Sequence, residues 1–248
     1  GYKAYWDDGA QVLAPHDAGI IDEVNNIASA ADIKFQGNPD LIQIIGEDID
    51  KIYLDMVKTV SIDPEAIARH KDMKIVYTPI HGTGMMLIPR ALKMWGFENV
   101  FTVPEQMIKD GNFPTVVSPN PENAEALSMA VNLAKEIDAE LVMASDPDAD
   151  RVGIAMKCPD GSYELVSGNE VGVLLLDYIC AGRIEKGTMP EKAVAVKSLV
   201  STPLADAVAA HYGVELRNVL TGFKWIGDQI AQLEAAGEVD RFIFGFEE

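Results

Sequence analysis

Short apolar runs of strand character alternate with segments of helical period along this chain, and this alternation constrains the fold more than any other feature. The run 74–80 is followed by a glycine turn, a helix-like segment over 85–95 and a strand-like segment at 100–103. A second strand-like run, 193–199, begins the same order again. Strand, helix and strand joined by short connections predict a largely parallel sheet with helices on its faces. We therefore predict an α/β fold of two consecutive domains with mixed, largely parallel sheets flanked by helices.

The predicted helices rest on apolar period and on capping residues. Asn120 is expected to cap a helix that has Pro121 at its first position and runs to about Ile137. The other predicted helices cover 19–31, 47–58, a short segment from Pro64, 85–95, 170–184, a segment opened by Thr202 and Pro203, and 225–236. Further strands are predicted over 141–144, 214–219 and 241–244, and Asp160-Gly161 is expected to turn a hairpin.

Composition narrows the class of protein. A length of 248 residues suffices for one large or two ordinary domains. The formal net charge of −19 argues against nucleic acid as a partner, because phosphates demand a basic face. No apolar run approaches the roughly 18 residues of a membrane span, and no basic-then-apolar leader opens the sequence. The only cysteines are Cys158 and Cys180, so no disulfide framework is expected and the cytoplasm is the expected location.

The segment Asp146-Pro147-Asp148-Ala149-Asp150-Arg151 is the strongest chemical signal in the chain. It follows the apolar run 141–144, and its proline stops the strand from continuing through it. Three hard oxygen donors on one tight turn can converge on a divalent cation such as Mg²⁺. The arginine beside them can hold an anionic group at the same ion. A metal and a guanidinium together suit phosphoryl transfer, which depends mainly on positioning and charge neutralisation.

The residues of this aspartate segment bear on three other interpretations. An Asp-rich turn can be a solvated loop whose side chains cap nearby N–H groups. A calcium loop of the EF-hand type is excluded, because its sixth and twelfth positions would be Arg151 and Lys157 instead of Gly and Glu. A phosphatase that uses Asp146 as its nucleophile remains open, although Thr or Val would be expected shortly after the second aspartate.

Polar residues at other turns are further candidates, because ligands bind beyond the carboxyl ends of parallel strands. His81-Gly82-Thr83-Gly84 can bring backbone N–H groups close to a phosphate, or can be a plain tight turn with a loop histidine. Lys197 lies in an apolar strand, where a charge is costly without a partner, so it is either functional or on an edge strand. Lys224 can be an acid/base, a phosphate contact or a surface lysine. Glu247 can bind sugar hydroxyls or stand in solvent.

Taken in this order, the motifs resemble those of the α-D-phosphohexomutases, the phosphoglucomutase and phosphomannomutase superfamily. The segment 145–151 looks like that family's magnesium loop, and the resemblance covers nearly the whole chain. Five further segments are similar to the branch of phosphopentomutase-like phosphoglucomutases: TPIHGTG at 78–84, FPTV at 113–116, SPNPE at 118–122, TGFKW at 221–225 and GFEE at 245–248.

The resemblance implies roles for individual residues. Asp146, Asp148 and Asp150 would bind Mg²⁺, and Arg151 would lie near the transferred phosphoryl group. Lys197 and Lys224 would act as acid/base or phosphate-positioning groups, and the implied substrate-binding residues are Glu247, Thr221, Gly222 and His81. Family members have four domains, so we expect residues 1–45 to end the first, 46–160 to form the second and 161–248 to form most of the third.

The implied reaction interconverts a sugar 1-phosphate and a 6- or 5-phosphate, with a sugar bisphosphate as intermediate and activator. No Ser-His-Asn stretch occurs, so the phosphoserine loop is expected in another domain and this chain alone is expected to be inactive. The remaining domains of the parent chain would complete the active site. Glucose, mannose, ribose and deoxyribose phosphates all stay open as substrates. The alternatives are a magnesium-dependent sugar-phosphate phosphatase and a non-catalytic module that binds metal or sugar phosphate.

Overall fold

The computed structural model describes residues 3–248, which divide into two compact units. The first unit is Glu47–Lys186, and the second combines the residues up to Gly46 with Gly187–Glu248. Each unit contains one sheet with helices packed against it, which confirms the predicted α/β class. Among residues 3–248, no helix has both the length and the apolar character that crossing a membrane requires.

Eight α-helices are present in the part of the chain that the structure describes. They are α1 (His16–Asn25), α2 (Glu47–Lys58), α3 (Pro64–Arg69), α4 (Ile88–Trp95), α5 (Ala124–Ile137), α6 (Gly168–Glu185), α7 (Leu204–Tyr212) and α8 (Phe223–Ala235). The helix predicted over 47–58 is confirmed, whereas the one predicted over 19–31 begins and ends earlier. The helix predicted from residue 170 begins at 168, because Ser167 and Glu170 form a capping box that satisfies the first N–H groups.

Two helices begin later than the sequence predicts. Asn120 caps only a turn, since its Oδ1 accepts from the Glu122 N–H at 3.0 Å, and α5 begins four residues after it. The Glu122 carboxylate accepts from the Gly168 N–H at 2.9 Å, so a tertiary contact holds this segment outside the helix. The helix predicted over 85–95 starts at Ile88 for a local reason. Proline fits only the first turn of an α-helix, and Pro89 stands there.

Five strands form the sheet of the first unit, in the order β2-β1-β3-β4-β5. They are β1 (Lys74–Thr78), β2 (Asn99–Thr102), β3 (Leu141–Ser145), β4 (Val152–Lys157) and β5 (Tyr163–Val166). The first three are parallel, and β4 and β5 return antiparallel through the predicted turn at Asp160-Gly161. Because β1 and β3 are parallel neighbours, the segments that follow them lie side by side at one edge of the sheet.

Small and aliphatic side chains fill the core of the first unit between α5 and the sheet. Leu127 and Ala130 of α5 are fully buried with Val76 of β1 and Val142 of β3. Alanine side chains let a helix lie close to the strands beneath it, and one fully buried leucine stabilises the fold by about 1.5–3 kcal/mol. This packing holds the two strands whose carboxyl ends carry the aspartate segment and the glycine-rich turn.

Three parallel strands form the sheet of the second unit, in the order β7-β6-β8. They are β6 (Val194–Ser198), β7 (Glu215–Val219) and β8 (Phe242–Phe246). Val194 and Val196 of the central strand pack against Ile226 and Leu233 of α8. All three carboxyl ends lie at one edge, so the segments after β6, β7 and β8 meet there.

Ion pairs connect the amino ends of the strands in this second sheet. Glu215, the first residue of β7, accepts from Arg217 Nε and from Arg241 Nη2, each at 2.7 Å. Arg241 precedes β8, and its Nε donates to the Lys192 carbonyl oxygen at 2.8 Å. The arginines stabilise the ionised carboxylate, and they lower the pKa of Glu215 below its ordinary value.

Candidate functional site

The aspartate loop, residues 146–151, is the connection between the antiparallel strands β3 and β4. Ser145 pairs with Val152 across the ladder, which closes the loop at its base. The Ala149 N–H donates to the Asp146 carbonyl oxygen at 3.1 Å, and Ala149 has a left-handed φ of 62°. The loop is therefore a tight turn whose side chains are held close together.

The three aspartates of this loop converge. One carboxylate oxygen of each lies within 4.8 Å of the others. Asp146 is 1% exposed, whereas Asp148 and Asp150 are exposed. Burial raises the pKa of Asp146 and a hydrogen bond with the Asp148 carboxyl adds to the rise, while hydrogen bonds from Arg151 oppose it. Crowded carboxylates repel one another when ionised, and a hard cation relieves that repulsion. The donor set fits a divalent cation such as Mg²⁺.

Arg151 closes the loop by contacting its first aspartate through both backbone and side chain. Its N–H donates to Asp146 Oδ1 at 3.1 Å, and its Nε donates to Oδ2 of the same carboxylate at 3.0 Å. The Arg151 side chain is nevertheless half exposed, at 50%. Its guanidinium thus stands at the mouth of the carboxylate cluster, where it is accessible to an anion.

The glycine turn, residues 81–84, follows β1 and lies directly against the aspartate loop. The Thr83 N–H donates to the Pro147 carbonyl oxygen at 2.9 Å, and Thr83 Oγ1 donates to the same oxygen at 3.2 Å. A Cβ added to Gly82 would lie 2.4 Å from Pro147 Cα, which real side chains do not tolerate. Gly82, predicted to help admit a phosphate, therefore makes room here for a neighbouring backbone.

His81, a predicted substrate-binding residue, is 4% exposed and uses both ring nitrogens within the protein. Its Nδ1 donates to the Ile108 carbonyl oxygen at 2.8 Å, because a carbonyl can only accept. Its Nε2 lies 2.8 Å from Thr115 Oγ1, which also accepts from Gln106 Nε2 at 3.1 Å. The threonine hydroxyl thus links the histidine ring to the Gln106 side chain. This geometry places His81 in a structural network, and its contact with substrate stays a prediction.

A buried hydroxyl pair beneath the aspartate loop was not predicted from the sequence. Tyr77 Oη lies 2.8 Å from Ser145 Oγ, the residue immediately before Asp146. Burial raises the pKa of Tyr77 to about 12, so the phenol keeps its proton. A Cβ on Gly84 would lie 2.3 Å from the tyrosine oxygen, so the glycine turn packs on this pair as well. A tyrosine four residues before a glycine turn gives no sequence signal for such a role.

Lys197 lies on the central strand β6 and is 3% exposed. Its Nζ donates to the Ser201 carbonyl oxygen at 3.3 Å and lies 3.7 Å from Asp206 Oδ2. The edge-strand alternative is wrong, because β6 has a paired strand on each side. A buried ammonium with one carbonyl and one half-exposed carboxylate as polar neighbours is an expensive arrangement for stability alone.

Ser201 connects the segment after β6 with the segment after β8. Its Oγ lies 2.9 Å from Ser198 Oγ and accepts from the Glu248 N–H at 3.3 Å. The adjacent Glu247 carboxylate accepts from the Gly222 N–H at 2.5 Å, in the turn between β7 and α8. All three loops at the carboxyl edge of this sheet are thereby joined. The role of Ser201 was missed because a serine in a loop has no distinguishing pattern.

Lys224 lies in the first turn of α8, beside the predicted residues Thr221 and Gly222. Its Nζ is 3.5 Å from Asp17 Oδ2 and 5.3 Å from the centre of the Trp225 ring. The side chain is 29% exposed, so part of it reaches solvent. Within the second unit the structure brings Lys197, Lys224, Thr221, Gly222 and Glu247 to one sheet edge. The first unit holds the aspartates, Arg151 and His81.

Comparison with known families assigns both parts of the chain. Residues 51–161 match the family described as phosphoglucomutase/phosphomannomutase, alpha/beta/alpha domain II. Residues 167–248 match the description of alpha/beta/alpha domain III of the same family. The chain belongs to the phosphoglucomutase/phosphomannomutase family. The sequence resemblance drawn from the motifs is therefore confirmed.

Individual members of this family align along the whole chain. It is 35% identical over 248 residues to a phosphomannomutase of Mycoplasmoides pirum, covering 100% of this chain and 44% of the relative. It is 33% identical to a phosphoglucomutase of Staphylococcus haemolyticus, with the same coverage of both chains. It is 34% identical to a human phosphopentomutase, covering 100% of this chain and 41% of the relative. The chain thus spans less than half the length of the curated relatives it matches.

A solved structure shares the fold at lower identity. A phosphoglucomutase/phosphomannomutase family protein from Burkholderia thailandensis superposes with a TM-score of 0.52 at 21% identity. The match covers 79% of this chain and 43% of that chain. At this identity the comparison supports the fold alone.

Proposed function

We propose that this chain supplies the metal-binding and sugar-binding loops of a phosphomutase, which interconverts a sugar 1-phosphate with its 6- or 5-phosphate. The observation that carries the proposal is the convergence of Asp146, Asp148 and Asp150 beside Arg151 in a chain of this family. The relatives' names, phosphomannomutase, phosphoglucomutase and phosphopentomutase, support the reaction class and differ only in the sugar. The relatives' greater length supports an active site that further domains complete.

The aspartate loop would hold Mg²⁺ through its three carboxylates. The ion supplies Lewis-acid neutralisation of phosphoryl oxygens when bound. Arg151 adds a fixed, permanently charged guanidinium at the mouth of the cluster, where it binds the oxygens of the transferred group. Its contacts with Asp146 keep it oriented while its exposed half remains available for the anion.

The chemical step we propose begins at a phosphoserine provided by a domain outside this chain. The P–O bond to the serine breaks as a P–O bond to the sugar hydroxyl forms, and the hydroxyl proton passes to a lysine nitrogen. Lys197 or Lys224 accepts that proton, and the other positions a phosphate. The resulting sugar bisphosphate reorients, and its other phosphoryl group returns to the serine oxygen while the lysine gives back its proton. Phosphate and proton therefore both balance over one cycle.

The sugar would lie at the carboxyl edge of the second sheet. Glu247 accepts hydrogen bonds from sugar hydroxyls, and its bond with the Gly222 N–H fixes its direction. Thr221 and Gly222 line the same turn, and His81 belongs to the glycine turn of the first unit. We also retain the proposed division into residues 1–45, 46–160 and 161–248 as parts of successive domains.

Turnover tests this proposal most directly. The substrates are glucose, mannose, ribose and deoxyribose 1-phosphates, and the enzyme is a protein of the relatives' full length that contains this chain, with Mg²⁺ and catalytic bisphosphate. Isomerisation of one sugar is expected, and it identifies the substrate. Release of inorganic phosphate without isomer would overturn the proposal in favour of a phosphatase. No turnover of any of the four sugar phosphates would overturn it in favour of a non-catalytic binding module.

Two substitutions separate the proposed roles. Asp148→Asn removes one charged ligand and should lower metal affinity at least tenfold, whereas Asp72→Asn, an exposed aspartate elsewhere in the first unit, should leave it unchanged. Lys224→Ala should lower the turnover rate more than substrate binding, because proton transfer acts in the transition state. Unchanged metal affinity in the first variant, or wild-type turnover in the second, contradicts the respective role.

A further inference from the structure

The residue between the first two aspartates of the loop touches the glycine turn. An ideal Cβ on Gly82 would lie 2.4 Å from Pro147 Cα and 2.6 Å from its carbonyl oxygen. Both of these are backbone atoms, so no flexible side chain could move aside. Thr83, the next residue, donates its N–H and its Oγ1 to that same carbonyl oxygen. Pro147 is therefore seated in a notch that is open only because residue 82 has no side chain.

The need for glycine at this position is spatial and not conformational. Gly82 has φ −96° and ψ −173°, an extended backbone that any residue adopts. Alanine would consequently strain nothing within residue 82 itself. The three heavy atoms nearest to its methyl group all belong to Pro147, so the methyl group would displace the residue that joins Asp146 to Asp148.

Hydrogen bonds to residues outside the aspartate loop hold the glycine turn in place, so we expect the loop and not the turn to move when a methyl group is added at residue 82. Ile80 and His81 adopt left-handed φ angles of 46° and 64°, which persist only where surrounding contacts impose them. The His81 N–H donates to the Gln106 carbonyl oxygen at 2.9 Å. Its ring is fixed at both nitrogens by Ile108 and Thr115. The compliant partner in the contact is therefore the aspartate loop.

We propose that Gly82 is a positioning residue for the aspartate loop: its missing side chain sets where Pro147 lies and thereby the spacing of the Asp146 and Asp148 carboxylates. The inference rests on the metal role given to that loop under the proposed function. It also gives the motif His81-Gly82-Thr83-Gly84 a task other than phosphate contact. In this role Gly82 acts through its contact with Pro147.

The experiment is a Mn²⁺ titration of this chain, followed by the electron paramagnetic resonance signal of the free ion. Gly82→Ala should weaken Mn²⁺ binding at least tenfold. Gly111→Ala is the matched control, because a Cβ there meets nothing within 4 Å, and its affinity should stay within twofold of wild type. Equal affinities of the Gly82→Ala and Gly111→Ala proteins would overturn the inference.

Amide hydrogen exchange separates this inference from the metal proposal, since it needs no ion. The Ala149 and Arg151 amides bond to Asp146, and both should exchange at least tenfold faster in Gly82→Ala. If the wild-type chain binds no Mn²⁺, the proposed function loses its metal site, and the amide exchange rates alone decide the role of Gly82. Exchange rates in Gly82→Ala equal to those of the wild type would refute the positioning role of Gly82.

A gentler pair of variants covers the case in which Gly82→Ala does not fold. Thr83→Val removes the Oγ1 bond to Pro147 at nearly constant volume and should weaken Mn²⁺ binding two- to fivefold. Thr83→Ser restores the hydroxyl and should restore the affinity. A valine variant that binds as tightly as the serine variant counts against the contact between turn and loop.

Discussion

Replacing Lys197 with methionine should separate stability from activity. The lysine is 3% exposed on the central strand of the second sheet, and methionine has a side chain of similar length that can fill the same space. The substitution removes a buried ammonium and leaves no buried charge behind, because Asp206, the facing carboxylate, is 52% exposed. The Ser201 carbonyl oxygen loses a donor, and Asp206 loses an ion-pair partner.

The magnitude follows from the polar contacts of the ammonium. Desolvating such a charge costs several kcal/mol. A hydrogen bond from a charged group, here to the Ser201 carbonyl oxygen, stabilises the folded state by about 1.5–3 kcal/mol. The ion pair with half-exposed Asp206 stabilises the folded state by at most about 1 kcal/mol, because solvent screens it. We therefore expect Lys197→Met to leave the free energy of unfolding unchanged or to raise it by up to about 2 kcal/mol.

The assay is urea unfolding followed by circular dichroism, together with turnover in the full-length context. Lys135→Met, on the exposed side of α5, is the control and should change the free energy of unfolding by no more than about 0.5 kcal/mol. Turnover of Lys197→Met should fall at least about 100-fold in either of its proposed roles, as the general acid/base or as the group that positions a phosphate. Loss of more than about 2 kcal/mol of stability, with turnover retained, would show that the lysine serves the fold and would refute the reasoning.

Three further predictions concern other contacts. The Ser201 hydroxyl accepts from the Glu248 N–H, so Ser201→Ala should accelerate amide exchange at Glu248 and raise KM for the sugar phosphate more than it lowers kcat. Ser201→Thr should reverse both changes. An unchanged KM in Ser201→Ala would count against a role of this hydrogen bond in substrate binding. Leu127→Ala should lower the free energy of unfolding by about 2–5 kcal/mol, measured with urea, because the fully buried side chain leaves a cavity. Glu215 has a lowered pKa, chiefly through Arg217, so its stabilisation is present above its ordinary pKa of 4.5 and is lost as the pH falls through the folded value. Glu215→Gln should reduce the fall in the urea midpoint as the pH drops below that ordinary pKa, and a fall as steep as in the wild type would contradict this.

The sequence predicted the fold class and the edges at which chemistry would gather, because both follow from short-range pattern. Alternating strand and helix signals imply parallel strands, and parallel strands place their following loops at one edge. The aspartate loop and the glycine turn indeed lie side by side after β3 and β1. The convergence of the three aspartates follows from their spacing on one tight turn.

What the sequence did not reveal depends on contacts between distant residues. Asn120 carries a capping signal, yet the helix starts later because Glu122 bonds to Gly168, 46 residues along the chain. Pro147 packs directly on Gly82, and the two residues are too far apart in the sequence for a local pattern to predict this contact. His81 looked like a ligand-binding residue, and only the three-dimensional structure shows that Ile108 and Thr115 occupy both of its ring nitrogens.

The hairpin that begins with the aspartate loop also offers a place for a spectroscopic label. Strand β4 leads away from that loop over six residues, and Cys158 follows its last residue. At about 3.3 Å per residue, Cys158 is roughly 20 Å or more from the loop. The chain's other thiol, Cys180, is buried and its pKa is raised to about 11, so it reacts slowly. A fluorophore or spin label on Cys158 would therefore report a paramagnetic ion among the aspartates by distance-dependent quenching or relaxation. The native Cys158 thus permits a distance measurement between a label and an ion in the aspartate loop without any engineered mutation.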